Sequence, residues 1–182
     1  MAIRFITGNS RKFEEVQAVV HADMRQVSID LSEIQSLDAH EVIRAKLLAA
    51  AEHEGEGEYL VEDTSLFLEC LNDKLPGPFI KWFEKAIEID GLVRLVEALH
   101  NANARAVTLL GYMDARKEIH FFEGVVDGTI VPRQGDKDFG WGPIFQPKGS
   151  LKTFGEMDRD EKHAVSMRGI AAKKFAAYLE KA

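Results

Sequence analysis

Cysteine is almost missing from this chain. Cys70 stands alone among 182 residues, which excludes an intramolecular disulfide and any cysteine-cluster metal site. Its neighbours Leu68 and Leu71 predict a small buried hydrophobe without chemistry of its own. A basic excess is missing as well: 23 Lys and Arg against 30 Asp and Glu give a formal charge of −7. That balance argues against a phosphate-tracking surface, and so against polymeric nucleic acid as a partner. No apolar run is long enough to cross a bilayer, and Ile3-Arg4-Phe5-Ile6 opens as a strand rather than as a signal peptide. The cytoplasm is the expected compartment, with no membrane partner. The six histidines, His21, His40, His53, His100, His120 and His163, show no metal-ligand spacing. Neither a Walker loop nor the Rossmann glycine fingerprint occurs, and there is no internal repeat or low-complexity segment.

What is present suffices for a full core. At 46% hydrophobic content, residues 1–182 read as one globular domain, with room for two lobes. Ile3 to Ile6 predicts a strand, and Thr7-Gly8-Asn9-Ser10 a tight turn into a helix with Phe13, Val16, Val19 and Val20 on one face. Val27, Ile29 and Leu31 alternate as a second strand. Asp38 and Glu41 have capping-box spacing before a helix through Ala51. Tyr59-Leu60-Val61 predicts a third short strand that delivers Glu62-Asp63-Thr64 at its end, a favoured place for chemistry in open α/β sheets. Pro76-Gly77-Pro78 signals a turn. Helical spacing returns in Phe79 to Ala86 and again in Leu92, Leu95, Val96 and Leu99. Ala106 to Met113 and Ile119 to Val126 form a long hairpin, with a further short strand at Thr129 to Val131. Asp158 and Glu161 cap a last helix through Leu179. The fold class is α/β with a mixed, twisted sheet.

Several groups of residues carry chemistry, each with a plainer alternative. Thr7, Gly8, Asn9 and Lys12 set small polar residues and backbone N–H groups at a helix N-terminus, suited to phosphate oxygens; they equally describe an ordinary cap beside a surface lysine. Glu33, Glu62 and Asp63 are hard-oxygen donors of the kind Mg²⁺ takes, or solvated loop acids. Lys46 and Lys81 sit among packing residues and can simply snorkel to solvent. Phe139-Gly140-Trp141-Gly142 presents two aromatics on a glycine-hinged loop, either to stack on a nucleobase or to plug the core.

Taken in order, these segments resemble the inosine triphosphate pyrophosphatase family, hydrolases of non-canonical purine nucleoside triphosphates. The resemblance runs nearly the full length. It rests on Thr7-Gly8-Asn9 through Lys12 with Glu14-Glu15, on Asp30-Leu31-Ser32-Glu33, on Val61-Glu62-Asp63-Thr64, on Leu75 to Phe83, and on Phe139-Gly140-Trp141 through Glu161-Lys162. It implies an elongated α/β fold with a mixed central sheet, two lobes around a cleft, and a homodimer. It implies that water attacks the α-phosphate of a nucleoside triphosphate, with Mg²⁺ as cofactor, giving a monophosphate and pyrophosphate. Thr7, Gly8, Asn9, Lys12, Lys46, Thr64 and Lys81 would hold the substrate on its phosphate side. Glu33, Asp63 and Glu62 would be the metal ligands, and Asp63 the general base or the carboxylate that positions the attacking water. Phe139, Gly140, Trp141 and Gly142 would enclose the base, while Lys162, Met167 and Arg168 would reach its edge.

Three positions depart from the family pattern, all in the base-side motifs. Gly142 stands where an aspartate follows Phe-Gly-Trp, Met167 where Ser-His-Arg has histidine, and His163 where asparagine follows Glu-Lys. Loss of an acceptor at 142 and a donor at 167 predicts altered or relaxed base selection; the plainer reading is that backbone amides and Arg168 do most of the base reading, which leaves an ordinary inosine and xanthosine triphosphate hydrolase. The alternatives are an enzyme acting on another modified or pyrimidine triphosphate, and a nucleotide-binding module without turnover.

Overall fold

The computed structural model describes residues 2–181. Its strands β1 (Ile3–Ile6), β2 (Met24–Val27), β3 (Tyr59–Leu68), β4 (Pro76–Gly77), β5 (Asn103–Met113), β6 (Ile119–Ile130) and β7 (Phe145–Pro147) form one mixed sheet in the order β2-β1-β3-β5-β6-β7, with β4 paired to β3, and helices flank it. The chain divides into two compact units. The first comprises Met1–Asp63, Thr108–Gly124 and Arg168–Ala182, and the second Thr64–Val107 and Val125–Met167.

In the first unit, β1 (Ile3–Ile6) pairs in parallel with β2 (Met24–Val27), from Ile3 opposite Met24 to Ile6 opposite Val27. It also pairs in parallel with β3 (Tyr59–Leu68), Arg4 opposite Tyr59 and Phe5 opposite Leu60. Successive strand side chains point to opposite faces, and the cores divide accordingly. Leu60 packs with Phe5, with Val16 of α1 (Ser10–Gln17) and with Phe175 of α5 (Met167–Leu179). Tyr59 and Val61 pack with Ile43 and Leu47 of α2 (Ala39–Glu54). The register of β3 is pinned at its start: Arg4 donates to the Tyr59 hydroxyl at 2.7 Å and to the Glu54 carbonyl at 3.0 Å, and Tyr59 donates to the Gly55 carbonyl at 2.6 Å. Gly111 lets α2 approach closely, since a Cβ there would collide with Ile43 and come within 3.2 Å of Leu47.

In the second unit, β4 (Pro76–Gly77) runs antiparallel to the later part of β3, Leu66 opposite Gly77. The helix α3 (Ile80–Ala98) is broken at Glu88, whose φ of 59° and ψ of 173° are not helical, so it is two helices end to end, as the two separate periodic stretches predict. The strands β5 (Asn103–Met113) and β6 (Ile119–Ile130) are the long hairpin, and β7 (Phe145–Pro147) pairs antiparallel with β6. Leu66, Leu92, Ile130, Phe145 and Phe154 centre the core. The short helix α4 (Arg159–Val165) starts on a reciprocal capping box between Asp158 and Glu161.

Several boundaries differ from the sequence expectations. The second strand ends at Val27; Ile29 and Leu31 pack against the first unit's core from an irregular segment, so their alternation reports burial, not a ladder. Pro76-Gly77 is a short strand and not only a turn, and Thr129 and Ile130 belong to β6. The last helix is two, divided at Ser166, which is extended at φ −77° and ψ 151°. Asp38 caps α2 by accepting from His40 N, but Glu41 accepts from Ser36 Oγ at 2.7 Å. Cys70 is half-buried in a short 3₁₀ turn, and burial pushes its thiol pKa up.

Candidate active site

The main correction lies in β3. The strand runs on to Leu68, so Glu62, Asp63 and Thr64 lie in its middle and not at its end. Alternation therefore sends Glu62 and Asp63 to opposite faces. Glu62 turns toward α1 and α5, where it is 1% exposed and receives Lys12 Nζ at 3.0 Å and Arg168 Nε at 2.7 Å. Arg168 also reaches Glu62 Oε1 at 3.3 Å and pairs with Glu15 of α1. Burial alone would lower the Arg168 pKa, but the two carboxylates outweigh it and raise it, so the guanidinium stays charged. Two expectations change. Both oxygens of Glu62 are engaged by cations, which makes it a poor metal ligand. Arg168 is buried between carboxylates of its own unit, where it locks α1, β3 and α5 together instead of reaching toward a ring edge.

Asp63 turns toward α2. There Lys46 Nζ lies 3.2 Å from Asp63 Oδ1 and 2.7 Å from Glu33 Oε1, one ammonium bridging two carboxylates. Burial pulls the Lys46 pKa down, but Asp63 and Glu33 more than offset this and hold it above its ordinary value. Glu33 comes from the irregular stretch after β2, not from a strand end. The two carboxylates already converge on one cation with hard oxygen donors. That donor chemistry suits Mg²⁺, with Glu33 and Asp63 as the residues to hold it. A second group with ligand atoms within 4.8 Å of one another, Asp114, Glu118 and His120, sits at the β5–β6 turn. Asp114 is occupied there in the turn itself, accepting from the backbone N of Arg116 and of Glu118, both at 2.9 Å.

The loop between β1 and α1 joins the same unit. Asn9 caps α1, its Oδ1 accepting from Arg11 N at 3.0 Å and Lys12 N at 3.3 Å. Thr7 Oγ1 accepts from Asn9 N at 3.1 Å. Helix capping thus describes the loop, and it also holds Gly8 and the first turn in a fixed conformation beside Lys12. The Lys12 ammonium is anchored on Glu62 and not loose on the surface.

The aromatic motif belongs to the second unit, and its two rings part company. Trp141 is 7% exposed and packs edge-on against Phe145, with centroids 5.4 Å apart, so it is a core residue. Phe139 remains half-buried, with Lys162 Nζ 5.1 Å from its ring centroid. Between them Gly140 takes a left-handed φ of 58°, which glycine adopts without a Cβ penalty. Lys162 pairs with Asp138 at 2.7 Å, with side chains 7% and 8% exposed. Gly142 is buried, and a Cβ on it would lie 2.6 Å from Asp138 Cγ and 2.8 Å from Asp138 Cβ, with Oδ2 nearer still. Met167 is buried in the core of this unit, Thr64 is half-buried, and Lys81 is exposed in the first turn of α3. Sequence reasoning missed two participants. Glu15 shares α1 with Lys12 but has no role in the sequence reading, and Asp138 has none there either. The one available signal for Asp138 was its place directly before Phe139.

The model of the Ham1 family matches residues 3–178. Among curated proteins, the inosine triphosphate pyrophosphatase of Saccharomyces cerevisiae is 39% identical over 97% of this chain and 95% of its own length. That of Schizosaccharomyces pombe is 41% identical over 98% and 95%. Among solved structures, a HAM1 protein from Coxiella burnetii superposes with a TM-score of 0.84 at 24% identity over the whole of both chains. The Staphylococcus aureus Ham1 protein gives 0.81 at 22% identity over 98% of each. At these identities the two structures bear on the fold alone.

Proposed function

The chain belongs to the Ham1 family, alongside curated inosine triphosphate pyrophosphatases, and from that membership we propose that it hydrolyses non-canonical purine nucleoside triphosphates to the monophosphate and pyrophosphate. The observation that carries this reading is the convergence of Glu33 and Asp63 on Lys46, on the β3 face opposite the Glu62–Arg168 lock.

In this reading the Thr7–Lys12 loop and Lys46 take the phosphates, because ammonium and amide donors make the strongest hydrogen bonds to phosphate oxygens. Glu33 and Asp63 would hold Mg²⁺, which when bound would supply positive charge against the phosphates and help ionise a water. Asp63 takes the proton of the attacking water at a carboxylate oxygen. The water oxygen bonds to the α-phosphorus, the bridging P–O bond to the β-phosphate breaks, and pyrophosphate leaves with the electron pair. Arg168 is a positioning residue, holding Glu62 and through it Lys12. Phe139 stacks on the base, while Trp141 and Met167 support the loop from beneath. A single domain, a homodimer and a cytoplasmic location complete the proposal. Among the described residues no helix is long and apolar enough to cross a membrane.

The test is pyrophosphate release from inosine triphosphate with Mg²⁺, by wild type and by Asp63→Asn. The variant should fold as wild type and lose about 10²- to 10⁴-fold in kcat, the usual worth of a general base. Unchanged turnover in a folded Asp63→Asn would defeat the assignment.

A further inference from the structure

We propose that Asp138 is the base-reading carboxylate of this chain, seated in the side-chain volume that Gly142 leaves open. The inference rests on the function proposed above and adds the ring edge that is read. Position 142 is where the family pattern carries its aspartate, and its loss first suggests a pocket short of one acceptor. The geometry points elsewhere. Any side chain on Gly142 would begin where Asp138 already lies, with Asp138 Cγ 2.6 Å and Cβ 2.8 Å from the added Cβ. Because the crowding involves the Asp138 Cβ as well as its carboxylate, it cannot be relieved by rotating a flexible tip. Glycine at 142 and aspartate at 138 are therefore one matched pair, the carboxylate entering from four residues earlier in the loop.

Its surroundings give it a ligand class. Asp138 and Lys162 form a close pair at 2.7 Å, and the same ammonium lies 5.1 Å from the Phe139 ring centroid and 6.0 Å from that of Phe154. An acceptor beside a donor, next to a half-buried aromatic face, complements a flat ring whose edge offers N–H beside C=O. A 6-keto purine has that edge at N1 and O6. Adenine has the reverse, an acceptor at N1 beside an amino donor, so it would leave both Asp138 and Lys162 unmatched. Selection for 6-keto purines thus persists here despite Gly142.

The experiment measures two things for wild type and variants: kcat/KM for inosine triphosphate against ATP, and calorimetric affinity for the monophosphates IMP and AMP. Asp138→Ala should reduce both preferences by about 10- to 100-fold, the worth of one hydrogen bond to a charged group. Gly142→Ala should reduce them as well, by driving Asp138 off Lys162. The exchange Asp138→Gly with Gly142→Asp should recover most of the preference, because it clears the Asp138 Cβ from the path of the new side chain and returns a carboxylate to Lys162 from the other end of the loop. Should Asp138→Ala fail to fold, Gly142→Ala and the double exchange still decide. A folded Asp138→Ala with wild-type preferences, or a folded exchange no better than a folded Asp138→Ala, overturns the inference. Wild type that binds IMP over AMP but releases no pyrophosphate would refute the hydrolytic reading and leave the base-reading one standing.

Discussion

Replacing Arg168 by methionine tests the buried lock directly. The substitution keeps an unbranched apolar stem and removes the guanidinium, so Glu62, 1% exposed, and Glu15 lose their shared cation while Lys12 remains on Glu62 at 3.0 Å. Removing one partner of a buried ion pair leaves an uncompensated charge and costs about 3–5 kcal/mol. For a chain of this size each kcal/mol moves the melting temperature by about 2–4 °C, so Arg168→Met should melt about 6–20 °C below wild type. The loss should depend on pH in a definite direction. Without Arg168, protonation becomes the less costly way to bury Glu62, so that carboxyl's folded pKa rises above its unfolded one. A group raised in this way favours the folded state at low pH, and the gap from wild type narrows as pH falls from 8 toward 5. Adding Glu62→Gln removes the stranded charge and should restore most of the stability. Thermal melting and urea denaturation, each followed by circular dichroism at several pH values, measure all of this. If Arg168→Met costs less than about 1 kcal/mol, the range of an exposed pair, or if the loss is the same at every pH, the lock is not what holds these elements.

Lys46 gives an alkaline prediction. Its pKa is raised in the fold, so its pairing with Asp63 and Glu33 stabilises at every pH below its ordinary 10.5 and fades as pH climbs through the raised value. Lys46→Met should therefore lie below wild type at neutral pH and converge with it in strong alkali, as read by chemical denaturation across that range. The two rings of the aromatic loop should separate cleanly. Trp141→Ala opens the core and should cost about 3–5 kcal/mol, whereas Phe139→Ala should leave melting close to wild type and raise KM for inosine triphosphate.

How much of this was legible in the sequence depends on how local the deciding interaction is. The strand–loop–helix opening, the hairpin and the mixed sheet follow from periodicity and turn residues, which act over a few positions. The length of β3 does not. Glu62 and Asp63 look like the end of a strand because charges seldom sit inside one, and what neutralises Glu62 is Arg168, 106 residues away. The same limit separates two identical spacings. Asp158 and Glu161 close a reciprocal capping box, while at Asp38 and Glu41 a neighbouring hydroxyl, Ser36, draws the glutamate away. Trp141 and Phe139, one residue apart from Gly140, cannot be told apart by pattern; burial against Phe145 decides between them. The pairing of Gly142 with Asp138 was hidden because a motif read position by position records a missing carboxylate and not its replacement nearby.

The pinned start of β3 sets the parity of everything downstream. Tyr59 is held by Arg4 and by the Gly55 carbonyl, and from it Glu62 is the third residue on and Asp63 the fourth. Because a pleated strand has period two, slipping the pairing by one residue would exchange their faces, turning Asp63 toward Arg168 and Glu62 toward Lys46. The short polar bend at 55–58, which looks on its surface like a place where length could drift, is thus a counting device, and a single inserted or deleted residue there would be read out at the carboxylates.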